Sequence, residues 1–283
     1  MIVVLAGGCG GAGGVRRMPL TGNGGSTGGI VDAGADAPLP AFKCSSSVEA
    51  FDCTAPVMLN ADGHLVDFSS REWSNSSGKW CDESGYHGSI YSYHNTMITA
   101  DTSSQRVADG SLRLTLGVSG GQYGGGGVAF EAGCMDVSQF SGVHFSAAIV
   151  SGSLAGCPLQ LQLATFDQRP TSQSPKGGCD QDAGSCFNFP TATAIPVLSS
   201  DPANPTPVVL PFTSFSRITT GTLQQVVGLQ WQVNATGGAC TVEILLDDIG
   251  FIPAAAPADA GSDAPGDGGN SDGGAVDDAS TAQ

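Results

Sequence analysis

The chain has 283 residues and a formal net charge of −16 at neutral pH, with 10 Lys and Arg against 26 Asp and Glu. That balance argues against nucleic acid as a partner, because binding phosphate needs clustered basic residues. It also lacks a basic amphipathic helix of the kind that lies on a membrane, so contact with a membrane is expected only through a lipid anchor.

Read from its start, the chain opens with "MIVVLAGGC". This resembles the end of a bacterial lipoprotein signal, with Cys9 as the lipidated residue. It departs from that pattern in having Ala6 where leucine is usual and no basic segment before the apolar run. A start codon further upstream would account for both. Residues 10–43, rich in Gly, Ala and Pro, read as a flexible tether. Residues 44–252 read as one folded domain, large enough for a real core. The tail 253–283 holds six Asp and neither Lys nor Arg. Neither flank carries enough apolar side chains to offset the entropy of ordering, so both are expected to be disordered. The organisation points to a protein that is secreted or held at the outer cell surface.

Nine cysteines occur, and setting Cys9 aside leaves eight between Cys44 and Cys240. An even number among Gly-rich loops favours disulfides and an oxidising compartment. Short spacing makes Cys44–Cys53 and Cys179–Cys186 the simplest closures, leaving Cys81, Cys134, Cys157 and Cys240 open. The spacings are irregular and no C-x-x-C occurs, which argues against zinc.

From Leu65 onward the dominant pattern is alternation. "SLRLTLGV" sets Leu112, Leu114, Leu116 and Val118 on one face, and "GVHFSAAIV" does the same with Val143, Phe145, Ala147 and Ile149. "TVEILLDDI" alternates Val242, Ile244 and Leu246 against Glu243. With "SIYSYH", "GGVAFEA", "TPVVLPF", "CPLQLQLATF" and "QVVGLQWQV", the count reaches eight or nine short strands punctuated by Gly, Asn, Asp, Ser and Pro. The expected fold is all-β, an antiparallel sandwich of the jelly-roll kind.

Two strands carry matched amides. If Leu159, Leu161 and Leu163 face the core, then Gln160 and Gln162 point outward; if Leu229, Trp231 and Val233 face it, so do Gln230 and Gln232. Should these strands share a sheet with their neighbours, the four amides would lie beside His144 and Glu243. Amides donate and accept at once, which suits sugar hydroxyls, and aromatic rings offer an apolar face to a pyranose. Tyr91 and Tyr93 share a face in "SIYSYH", though periodicity alone leaves open whether it is core or groove. The expected ligand is polysaccharide, hydrogen-bonded by Gln160, Gln162, Gln230, Gln232 and His144 and stacked on Tyr91 and Tyr93.

Signals of catalysis are sparse. "GVSGG" matches G-x-S-x-G at Ser119, but a second glycine run follows where the nucleophile elbow needs a helix. The four histidines lack any metal-binding spacing. Glu131 and Glu243 would form a glycosidase-like carboxylate pair if their strands were neighbours.

Five segments in order, "VDFSSREWSNSSGKW", "GYHGSIYSYH", "ADGSLRLTLGV", "GGVAFEAGCMDVSQFSGVHFSAAI" and "GLQWQVNATGGACTVEILLDDIGFI", resemble a carbohydrate-binding module of the galactose-binding-like jelly-roll type attached to bacterial glycanases. The resemblance spans about residues 65–252, and its most specific pieces are "DVSQFSGV" and "DDIGF". It implies a glycan bound along a concave sheet and a structural calcium at the edge, with Asp248 as a ligand and Asp67 as its partner. The many cysteines and the loop "RPTSQSPKGGCDQDAGSCFNFP" depart from it, so ligand preference does not carry over. Two alternatives stay open: a glycoside hydrolase or polysaccharide lyase on the same fold, and a surface scaffold or adhesion protein without a specific glycan.

Overall fold

The computed structural model describes residues 51–68, 73–74, 79–81, 86–95, 98–173, 175–181 and 186–254, with Trp73, Ser74 and Cys81 described by backbone alone. Cys9, the tether, Cys44 and the acidic tail beyond Ala254 lie outside the described residues. The described residues up to Pro253 fall in one unit of the chain.

The strands run in chain order as β1 (Val57–Met58), β2 (His64–Val66), β3 (Trp73–Ser74), β4 (Lys79–Cys81) and β5 (His87–His94). Next come β6 (Thr102–Ala108), β7 (Ser111–Val118), β8 (Tyr123–Phe130), β9 (Met135–Asp136) and β10 (Phe140–Gly152). The last five are β11 (Leu159–Thr165), β12 (Thr191–Ala192), β13 (Thr206–Pro211), β14 (Val226–Asn234) and β15 (Cys240–Pro253). A single turn of helix, α1 (Thr220–Leu223), leads into β14; the Thr219 side chain caps it by accepting from Thr222 N at 3.1 Å.

Two sheets face each other, and the fold is a β-sandwich. The larger, nine-stranded sheet runs β12-β11-β14-β8-β5-β4-β3 through its centre, with β9 and β1 attached near one end of β14. The smaller, six-stranded sheet runs β13-β10-β15-β7-β6, with β2 alongside β15. All ladders are antiparallel except the short β1–β9 pair.

The core forms where the alternation predicts it. Leu112, Leu114 and Leu116 of β7, Val143 and Ala147 of β10, Val242, Ile244 and Leu246 of β15, and Leu161, Leu229, Trp231 and Val233 of the larger sheet are fully buried. Phe145 meets Trp231 edge-on across the gap, ring centres 5.3 Å apart.

Each sheet keeps its alternation past a bulge. In β15, Ser146 pairs with Asp247 but His144 pairs with Gly250, so Asp248 and Ile249 together oppose Phe145. Asp248 takes a left-handed φ of 49° there, a conformation aspartate tolerates better than most residues, and Ile249 and Phe251 return to the core. In β14, Ala164 pairs with Gly228 and Thr165 with Val226, leaving Val227 as the extra residue. Val227 therefore joins a second apolar cluster with Phe51, Cys134, Ala164 and Phe189, apart from the main core.

Three disulfides staple the described residues: Cys53–Cys134, Cys157–Cys240 and Cys179–Cys186. The expected Cys44–Cys53 bridge is corrected. The parallel pairing of β1 with β9, with Val57 N donating to Cys134 O at 2.7 Å, carries Cys53 to Cys134 instead. Closing a longer loop costs only slightly more entropy, so sheet pairing outweighs proximity in sequence.

Candidate functional site

The amides and tyrosines named from sequence come together on the outer face of the larger sheet. Register sets Gln162 beside Gln230, Gln230 beside Gly127, and Gly127 beside Tyr91, giving one row across four strands. Two residues along, Gln160, Gln232, Gly125 and Tyr93 form the next row. A third row follows, with Asn234 opposite Tyr123 and Asn95 N donating to Tyr123 O at 3.1 Å.

Glycines make this arrangement possible. Tyr91 and Tyr93 stand on β5, whereas their hydrogen-bond partners stand on β14, two interstrand steps of about 4.8 Å away. Each ring must therefore lean across β8, and β8 offers Gly125 and Gly127 underneath. A Cβ at Gly125 would sit 2.7 Å from Tyr93 Oη and 2.4 Å from Trp231 O. The inward glycines Gly124 and Gly126 serve the core, where a Cβ would strike Val118 and Leu114 at 2.8 Å.

Hydrogen bonds then run along the rows. Tyr91 Oη donates to Gln230 Oε1 at 2.9 Å, and Gln230 Nε2 donates to Gln162 Oε1. Tyr93 Oη donates to Gln232 Oε1 at 3.0 Å, and Gln232 Nε2 donates to Asn234 Oδ1 at 2.9 Å. Asn95 Nδ2 donates to Gln122 Oε1. The Tyr91 and Tyr93 rings are near-parallel at 6.2 Å, and Tyr123 extends the series at 6.4 Å from Tyr93.

The face is not uniformly open. Gln162 and Gln230 are each 8% exposed and Tyr93 is equally buried, whereas Gln160, Gln232, Asn234, Tyr91, Tyr123 and Gln122 are half-buried. The second apolar cluster borders the closed side, next to Ala164. Arg169 braces that side, its guanidinium 5.4 Å from the centre of the Phe51 ring and its Nε donating to Pro175 O at 2.8 Å. Cys179 N donates to Arg169 O at 2.9 Å, so the Cys179–Cys186 loop holds Arg169 in place.

Burial governs the electrostatics. It pushes both the Tyr91 and the Tyr93 phenol well above the ordinary value of 10; the Arg169 charge opposes it at Tyr91, while neighbouring Tyr91 and Tyr123 reinforce it at Tyr93. Burial lowers Arg169, against the pull of Tyr91 and Glu131. Both phenols therefore remain O–H donors. Glu131, 7% exposed, is ion-paired with Lys79.

Other expected residues lie elsewhere. His144 on β10 and Glu243 on β15 belong to the smaller sheet, so they do not share the amide face. Glu243 bonds Arg106 at 2.7 Å on that sheet, and Glu131 follows β8 of the other. The two carboxylates thus flank opposite sides of a sandwich and are no catalytic pair. Ser119 Oγ donates to the buried Asp101 at 2.6 Å within the turn before β8. Pairing of Val66 with Ile249 sets Asp67 beside Asp248, and Asp248 Oδ2 lies 4.0 Å from His144 Nδ1. Among the described residues no three His, Cys, Asp or Glu side chains gather to hold a metal ion, so this pair falls short of the several oxygens calcium takes unless backbone carbonyls complete the shell.

Sequence reasoning assigned no role to Asn234, Asn95, Gln122 or Tyr123. The period of two that links Gln230 and Gln232 continues to Asn234 and would have found it. Asn95 and Gln122 needed the β5–β8 register.

No protein-family model matches this sequence, and no curated protein does either. Among solved structures, the chain is similar to a family 11 carbohydrate-binding module from Clostridium thermocellum in complex with a β-1,3-1,4-mixed-linked tetrasaccharide, at 15% identity over 68% of this chain and 95% of that one, TM-score 0.43. It is also similar to a non-crystalline cellulose specific carbohydrate-binding module, CBM28, at 12% identity over 67% and 94%, TM-score 0.32. A glycoside hydrolase domain, Endo-D from Streptococcus pneumoniae R6, is similar at 9% identity over 58% and 21%, TM-score 0.31. The solved structures most often similar to this chain are thus carbohydrate-binding modules, and the sandwich itself is read from its own strands and register.

Proposed function

We propose that this chain binds polysaccharide without catalysis, through the outer face of the larger sheet. One observation carries the reading: three successive rows of amides and tyrosines, built over a glycine strand, set aromatic rings and hydrogen-bonding groups side by side. Sugars offer both complements, an apolar ring face and a fringe of hydroxyls. The half-buried Gln160, Gln232, Asn234, Tyr91 and Tyr123 make the contacts. Gln162 and Gln230, buried beside the apolar cluster, position Tyr91 rather than reach the ligand.

The three disulfides support an oxidising compartment, and we place the protein outside the cell, tethered through Cys9. The test is affinity electrophoresis of the full chain in gels containing soluble glucans, mannans, xylans and polyuronates, beside a Gln160→Ala/Gln232→Ala double variant. Retardation by at least one polymer, lost in the double variant, is expected; retardation that survives in the variant would move the site off this face.

Calcium at the Asp67–Asp248 edge is a separate proposal. Thermal unfolding with calcium and with a chelator tests it: a raised Tm that Asp248→Asn abolishes supports the site, and coincident transitions overturn it.

A further inference from the structure

Strand register brings together two histidines that lie far apart in the chain. On the outer face of the smaller sheet, His144 of β10 pairs with Gly250 of β15, and Gly250 pairs in turn with His64 of β2. Residues directly opposite in an antiparallel ladder share a face. Val143 and Phe145 on either side of His144 are buried, so His144 and, through Gly250, His64 point outward. β2 shifts its register to allow this: between Val66, opposite Ile249, and His64, opposite Gly250, Leu65 is an extra residue and is buried with Val66. Glycine again lets a ring lean across a strand. A Cβ at Gly250 would lie 2.5 Å from His144 Nε2, so the imidazole covers Gly250 and carries Nε2 from β10 over β15, the strand next to β2. The Gly63 carbonyl oxygen faces the same spot, 2.8 Å from that Cβ position. On the far side of the ring, His144 Nδ1 lies 4.0 Å from Asp248 Oδ2, and among the described residues no hydrogen bond engages Nε2.

A carboxylate beside one imidazole nitrogen, with the second nitrogen open, is how metal-ligating histidines are held: the carboxylate fixes the tautomer and the ring orientation. His64 stands one interstrand step of about 4.8 Å beyond Gly250. Two nitrogens on one ion, each at about 2.0–2.1 Å, lie up to about 4 Å apart, so the step suits a shared ion. We propose that His144 Nε2 and a ring nitrogen of His64 bind a divalent transition-metal ion of the zinc and copper class. Gly63 O lies beside them, Asp248 orients His144, and water fills the remaining positions. Imidazole selects this class over calcium and magnesium, which take oxygen ligands. The ion ties β2 to β10 across β15, and by binding only the folded chain it adds stability. The site lies on the sheet opposite the amide face and does not depend on the polysaccharide reading. It is also separate from calcium at the Asp67–Asp248 edge, which uses no imidazole.

The test is titration calorimetry of the full chain with zinc, and with magnesium as the control, in calcium-free buffer. Zinc should bind and magnesium should not. His64→Ala and His144→Ala should each weaken zinc about tenfold or more, and Asp248→Asn about tenfold, the usual loss when an outer carboxylate is removed. His94→Ala, on β5 of the larger sheet, should leave zinc binding unchanged. Cysteine thiolates also take zinc, so binding that survives both histidine substitutions overturns the site, as does the absence of zinc binding. A second measurement uses the unaltered chain and so does not depend on the variants folding. Substoichiometric copper(II), which is paramagnetic, should broaden the ring C–H resonances of His64 and His144 together and leave those of His87 and His94 sharp. Broadening of one of the pair without the other, of all four alike, or of none contradicts the proposal.

Discussion

The two outward faces of the sandwich are built from the same alternating code and hold opposite chemistry. On the smaller sheet the outward positions carry charge: Arg106 and Arg113 share Glu243, Arg113 reaches Asp109, and His144 faces Asp248. Pairs with an exposed partner, such as Arg106 and Asp109, add little energy and need no special backbone. On the larger sheet the outward positions are uncharged amides and phenols, linked into directed chains and laid over glycines. That face costs the protein two outward glycines in a central strand, Gly125 and Gly127, each of which forfeits backbone entropy. A surface that existed only to be wet would have no use for that expense, which is why the function is placed there.

The comparison breaks first at Gly125. Gly125→Ala puts a methyl 2.4 Å from the Trp231 carbonyl and into the Tyr93 ring, and should cost about 3 kcal/mol or more in denaturant unfolding. Gly110 lies at the β6–β7 turn of the smaller sheet with open space around it and φ of +72°; Gly110→Ala should cost only about 1 kcal/mol, from backbone strain alone. Next in size is Tyr93→Phe. Removing the hydroxyl strands Gln232 Oε1, and a loss of about 1–3 kcal/mol is expected, together with weaker polysaccharide binding.

Alkaline titration sharpens the same contrast. The folded chain holds the Tyr91 and Tyr93 protons above the ordinary value of 10. The unfolded chain releases them near 10 and so binds fewer protons at higher pH. Stability from these groups is therefore complete below pH 10 and falls as the pH rises beyond it. Urea midpoints measured from pH 8 to 11 should drop above 10, and the drop should shrink in a Tyr91→Phe/Tyr93→Phe variant that still folds. The smallest effect belongs to the smaller sheet: Arg106, 59% exposed, should give about 0–1 kcal/mol on replacement by Ala and leave polysaccharide binding unchanged.

Much of this was legible in the sequence because period two holds within each stretch on either side of the bulges. Leu112 to Val118, Val143 to Ala147 and Val242 to Leu246 are inward as read, and Gln160, Gln162, Gln230, Gln232, Tyr91 and Tyr93 do share a face. What alternation cannot supply is the partner of each strand. That is why His144 and Glu243 were expected beside the amides although β10 and β15 form the other sheet. It is also why Cys53 was paired with the nearest cysteine rather than the one β9 brings. Periodicity likewise says that Gln230 points outward but not that Phe51 and Phe189 gather with Ala164 into a second apolar cluster, since those come from segments far off in the chain.

The most direct test of the central claim is a nuclear magnetic resonance titration of the full chain with a polysaccharide that retards it, followed at the side-chain NH₂ and backbone amide signals. The account predicts that the Asn234, Gln122, Gln160 and Gln232 side-chain signals shift with the backbone of β8, while those of Arg106, Glu243 and His144 stay still. Shifts confined to the smaller sheet, or to the loops alone, would contradict it.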